Sequence, residues 1–182
     1  MTERAEAPKR LPGWVYGGLI GCAIIMSWMG WNQRAADQAL QESFGGESNL
    51  RCVKEAQKAY ATRLGPSPDV EHPGQFNEFV AIAEPIEVPR ELSRRFQELL
   101  TSSSSYRHDV ALGCVPIYGY RLRFVCDQNA VEAFVCLQCS LIEFVVDGKS
   151  VGGGYFGPAE RAIKELSKQL FPDDRAIEEA AN

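Results

Sequence analysis

The residues of this chain with the most chemistry to offer are its six cysteines, Cys22, Cys52, Cys114, Cys126, Cys136 and Cys139. Cys136-Leu137-Gln138-Cys139 is a C-x-x-C, a spacing that serves three chemistries. Four thiolates can hold a tetrahedral zinc ion. A C-x-x-C at a helix N-terminus can become a redox pair, because the helix dipole favours the thiolate. Cysteines of an exported domain can instead pair as structural disulfides.

The surrounding pattern separates these readings. Tyr118, Tyr120, Leu122 and Phe124 alternate with Gly119, Arg121 and Arg123, the period of a half-buried strand. With Asp127-Gln128-Asn129 as the turn, the strand returns over 130–138. Cys126 then pairs near Ala130 and Cys136 near Tyr120, which parts Cys126 from the C-x-x-C by roughly 20 Å, too far to share an ion. A cluster of Cys114, Cys136 and Cys139 remains, with His108 or Cys52 as a fourth ligand. No cofactor is expected, and zinc is the one candidate weighed. The redox reading is weakened because the C-x-x-C sits between apolar strands with no helix after it. In the structural reading Cys114 bonds either Cys136 or Cys139. The five cysteines outside the apolar N-terminal run are odd in number, so one stays free or pairs between chains.

Other residues that could do chemistry fare less well. His108-Asp109 could act as a base and its orienting group, but only Cys114 offers a nucleophile nearby. His72 stands beside Pro73-Gly74 in a loop and reads as solvated. Arg121 and Arg123 share a strand face with Glu132 opposite, which reads as a cross-strand salt-bridge face before it reads as an anion site. Residues 152–157 match G-x-G-x-x-G and precede a helix, but no second strand with an acidic end follows. They read as a loop entering that helix. No catalytic constellation emerges, and an enzyme is not the favoured reading.

The elements that would position these residues define an α+β domain. Val53, Ala56, Tyr60 and Leu64 predict a first helix over 49–63, stopped by Gly65-Pro66-Ser67-Pro68. A strand is expected around Phe79–Ala83. A second helix runs from Pro89 to about Leu100, with Leu92, Phe96, Leu99 and Leu100 as its buried stripe. After the hairpin comes a third strand at 141–146, closed by Asp147-Gly148. A last helix spans 158–170, with Ala162, Ile163, Leu166 and Leu170 inward. The expected architecture is an antiparallel meander of three to four strands packed against helices, occupying 49–172, with a frayed acidic tail at 173–182.

Ahead of the domain, no charge occurs from Leu11 to Trp31. At about 1.5 Å per residue that run spans roughly 30 Å, the thickness of a bilayer's hydrocarbon core. Trp14 and Tyr16 lie at one end and Trp28 and Trp31 at the other, as interfacial rings do. The expectation is a transmembrane helix over 12–31 between an N-tail (1–11) and a polar juxtamembrane linker (32–48). Leu19-Ile20-Gly21-Cys22 resembles a lipoprotein cleavage box, but the apolar run continues beyond it, and no small-x-small site closes the run. Arg4, Lys9 and Arg10 precede the helix and only Arg34 follows closely, which places the N-tail in the cytoplasm and the domain outside the inner membrane. Gly17 and Gly21 form a G-x-x-x-G on which two helices could dimerise. The net charge of −5 without a basic run excludes nucleic acid as a partner.

The stretch from Ser105 to Pro172 resembles an uncharacterised bacterial family. The residues that carry the resemblance are Ser105-Tyr106, Asp109-Val110, Gly113-Cys114, Pro116, Tyr120-Arg121, Cys136-x-x-Cys139, Asp147-Gly148 and Leu170-Phe171-Pro172. Members often hold Phe-Glu inside the C-x-x-C. Leu137-Gln138 stands there in this chain, so an acidic ligand at that point is absent. The resemblance implies a domain identity and no activity. The function expected from the sequence is a membrane-tethered extracytoplasmic interaction or structural module meeting an envelope protein. The alternative is a thiol-based metal or redox protein.

Overall fold

The alternation at Tyr120, Leu122 and Phe124 does produce a strand, and everything else is arranged around it. The structure, a computed structural model, describes residues 31, 33–107, 110, 113–127 and 129–182. Residues 12–30 of the expected spanning helix, Gly17 and Gly21 among them, lie outside the described residues, as does His108. Among the described residues no helix is long and apolar enough to cross a membrane. The chain divides into Met1–Ala36 and a folded unit, Asp37–Asn182.

That unit is an α+β domain with a seven-stranded antiparallel sheet. Its strands are β1 (Lys58–Pro66), β2 (Phe79–Ala81), β3 (Ile86–Glu87), β4 (Tyr120–Val125), β5 (Ala130–Cys136), β6 (Leu141–Val146) and β7 (Lys149–Tyr155). The order is β2-β1-β4-β5-β6-β7, with β3 beside β2 along the same edge of β1. Tyr120 faces Val135 and Val125 faces Ala130, a register one residue from the expected one. Asp147 and Gly148 both have positive φ (50° and 71°), the two-residue turn whose twist suits a hairpin.

The main core lies between one sheet face and the helices. The helices are α1 (residues 37–43), α2 (Glu47–Glu55), α3 (Arg90–Leu100), α4 (Glu160–Leu170) and α5 (Arg175–Ala181). Tyr120, Leu122, Phe124, Val131, Ala133 and Phe144 from the sheet pack with Leu92, Phe96 and Leu100 of α3 and Ile163, Leu166 and Leu170 of α4. A second, smaller cluster occupies the other face: Leu64, Phe79, Tyr118, Phe134, Cys136, Cys139 and Val145.

Four expectations require correction. The helix over 49–63 ends at Glu55, and its second half is β1, a central strand with Ala59 and Ala61 in the main core. Small alanines fit either period, and long-range pairing with β4 decides the conformation. The meander of three to four strands is therefore part of a larger sheet. Residues 152–154 are strand and not loop. Their glycines hide the period, and they are glycine because β7 runs tight against backbone: a Cβ on Gly152 would strike the Ser43 carbonyl, and one on Gly153 the Ile142 carbonyl. Finally, neither flank is loose. Leu40 and Phe44 are buried, with the Phe44 ring stacked on Phe144 at 3.8 Å. The acidic tail forms α5, with Ile177 and Ala181 buried and Asp174 capping its N-terminus through the Ile177 N–H (3.0 Å).

Candidate functional site

Pleat alternation along β5 sends Val131, Ala133 and Val135 to the helix side and Phe134 and Cys136 to the other. Cys136 ends the strand, residues 137–140 form the turn, and Ser140 takes the left-handed conformation (φ 50°) that brings the chain back as β6. Cys139 sits within that turn and is bonded to Cys114, with Cα atoms 6.0 Å apart. The structure thus brings together three of the residues singled out in the sequence, Cys114, Cys136 and Cys139.

Their roles differ. Cys136 is the free thiol among the described cysteines, and it is fully buried. Two backbone N–H groups donate to its sulfur, from Ile117 (3.3 Å) and from Cys139 (3.4 Å). Cys139 is almost fully buried, whereas Cys114 is exposed. The Val115 carbonyl oxygen lies 3.5 Å from Cys139 Sγ and 3.8 Å from Cys114 Sγ. Disulfide sulfurs carry no proton, so these are packing contacts and not hydrogen bonds.

Aromatic rings wall the cluster. Tyr118 meets Phe79 and Phe134 edge-on at 5.3 and 5.8 Å, and Phe76 meets Phe134 at 5.3 Å. The Tyr118 hydroxyl donates to the Glu143 carboxylate. Burial first, then that hydrogen bond and the carboxylate's charge, push the phenol far above its ordinary value, so it remains a neutral donor. The loop before β2 closes one side: Glu78 accepts from the Gly74 and Gln75 N–H groups, and a Cβ on Gly74 would touch Val115 at 3.1 Å.

The far end of β4 carries a second bridge. Cys126 bonds Cys52 of α2, with Cα atoms 5.7 Å apart. A cleft of 840 Å³ opens beside it, lined by Arg51, Glu55, Lys58 and Asp127 among others. Charges of both signs share its walls, so it favours no one ligand charge. The sequence missed this pairing because the misread helix over 49–63 concealed β1, the strand that lays α2 against the end of β4.

The remaining candidates are dispersed. His72 is exposed. Arg121 and Glu132 form an ion pair at 3.2 Å, as the cross-strand reading anticipated. Among the described residues no group of three or more His, Cys, Asp or Glu side chains is arranged to hold a metal. With the Cys114–Cys139 bond closed, a thiolate metal site there would first require its reduction.

Comparison of the chain with protein-family models, with curated proteins and with solved structures gave no match. What fold and site define is therefore a class: an α+β domain stapled by two disulfides, with a buried thiol beside one of them.

Proposed function

We propose that the protein is a membrane-tethered extracytoplasmic module, interactive or structural rather than enzymatic, whose domain is held rigid by disulfides. The observation that carries this reading is the pair of bridges Cys52–Cys126 and Cys114–Cys139, at opposite ends of β4. Such bonds persist in oxidising compartments and are reduced in the cytosol. The uncharged run from Leu11 to Trp31 and the Lys/Arg excess before it support an inner-membrane anchor with the domain in the periplasm. Among the described residues of the folded unit, the exposed large apolar side chains are Val80, Ile82, Ile86, Val115 and Ile117. They lie on or beside β2 and β3 and in the loop at Cys114, which makes that side the candidate contact surface for an envelope protein.

The test is a thiol count on protein taken from its native membranes without reductant. The denatured chain is alkylated and its labelled sites mapped by mass. The expected result is one labelled thiol per chain among Cys114, Cys136 and Cys139 and none on Cys52 or Cys126. Label on all of them removes the proposal and makes a thiol-based function the better reading, with metal analysis of the native protein as its test. The convergence of Cys114, Cys136 and Cys139 is what favours that second reading.

A further inference from the structure

The buried Cys136 thiol is used by neither staple, and its position is unusual for a cysteine that merely packs. One of its two N–H donors, Ile117, belongs to the loop carrying Cys114. The other is Cys139 itself. The sulfur is therefore wedged between the two segments that the Cys114–Cys139 bond joins. It is shielded from thiols in solution, so the disulfide it can reach is the one beside it. Holding both reactants in one packed site replaces a bimolecular encounter with an intramolecular one. Within a turn, Cα atoms three residues apart lie within about 7 Å, which matches the roughly 4.4–6.8 Å that a disulfide needs.

We infer that Cys136 is an internal nucleophile that exchanges the Cys114–Cys139 disulfide for Cys136–Cys139 and releases Cys114 as a surface thiol. Cys136 Sγ sheds its proton as it attacks Cys139 Sγ. The Cys136–Cys139 bond forms as the Cys114–Cys139 bond breaks, and Cys114 leaves as a thiolate that takes up the proton. One disulfide and one thiol are present before and after, so no oxidant or reductant is consumed. The product differs in what it exposes. Cys114 is already at the surface, and once freed it untethers the loop bearing the exposed Val115 and Ile117. The loop then offers a reactive thiol flanked by apolar side chains, suited to exchange with a disulfide-bearing partner, whose own sulfur leaves as a thiolate when the mixed disulfide forms.

This inference rests on the stapled-domain reading, and the experiment separates the two. The full chain, purified without reductant, is incubated in its native state with iodoacetamide, quenched in acid and digested without reduction. The expected result is a Cys136–Cys139 linked peptide and alkylated Cys114, both accumulating with time, and loss of Cys114 label in Cys136→Ser. A Cys114–Cys139 link that persists with Cys114 as unlabelled as in Cys136→Ser overturns the exchange and leaves the staple intact. Absence of the Cys114–Cys139 link from the start overturns both. A second variant covers a Cys136→Ser chain that does not fold. Cys114→Ser, held in a glutathione redox buffer, should form the Cys136–Cys139 bond, and two free thiols there would refute the geometry on which exchange depends.

Discussion

Replacing Cys52 and Cys126 together by serine should be the most damaging double substitution outside the core. The bridge closes a sequence separation of 74 residues. In the chain-entropy model that closure removes about 4.5 kcal/mol of freedom from the unfolded chain, against about 3.5 kcal/mol for a loop the size of Cys114–Cys139. At about 2–4 °C per kcal/mol for a domain of this size, the first loss lowers Tm by roughly 9–18 °C. Because the effect lies in the unfolded ensemble, the freed chain also exposes more surface, and the urea m-value should rise. The assay is urea and thermal unfolding of the unreduced protein, followed by far-UV circular dichroism. A loss below about 1 kcal/mol, or one smaller than that of Cys114→Ser/Cys139→Ser, would refute loop closure as the source of the staple's stability.

Five further substitutions test packing and charge. The Tyr120 hydroxyl and Ser167 Oγ are bonded at 2.7 Å in full burial, and Ser167 donates onward to the Ile163 carbonyl (2.8 Å). Tyr120→Phe should cost about 1 kcal/mol, while Ser167→Ala, which orphans a buried phenol, should cost about 1–3 kcal/mol in denaturant titration. Gly153→Ala drives a methyl into β6 backbone and should cost about 1–3 kcal/mol. Gly148→Ala, in open space at φ 71°, should lose only the left-handed preference, about 1 kcal/mol; the reverse order would contradict the close approach of β7. At Asp174, burial works against the charge, but the Arg63 guanidinium and the Ile177 N–H outweigh it and hold the carboxyl below its ordinary value. The stability this group supplies is therefore complete above its unfolded pKa of about 4 and is lost as pH falls through the lower folded value. Asp174→Asn should flatten the acid side of a stability-against-pH profile, and an unchanged slope would dismiss the Arg63 pairing as a contributor.

Elements with strong local signals were readable from the chain. Leu141–Val146, the Asp147-Gly148 turn and the stripes of α3 and α4 came through because period and punctuation agree there. Failures clustered where the deciding partner is distant in sequence. Ala59 and Ala61 become strand only because β4 lies beside them, and Gly152–Gly154 shows no alternation because those residues have no side chains to alternate. Leu40, Phe44 and Ile177 lie in segments too short or polar to advertise burial. The cluster of Cys114, Cys136 and Cys139 was legible because hairpin register is local arithmetic. The Cys52–Cys126 bond was not, since it depends on the misread β1.

Along the chain the bonded cysteines run 52, 114, 126, 139, and each native bond skips over a member of the other. A chain that is oxidised in the order in which it emerges from a translocation pore would join Cys52 to Cys114 before Cys126 has crossed. Correct pairing therefore requires either that β1 and β4 meet before oxidation or that a disulfide isomerase repair the early bond. For a domain exported as proposed, the interlaced order makes its yield a property of the secretion machinery as much as of its own sequence.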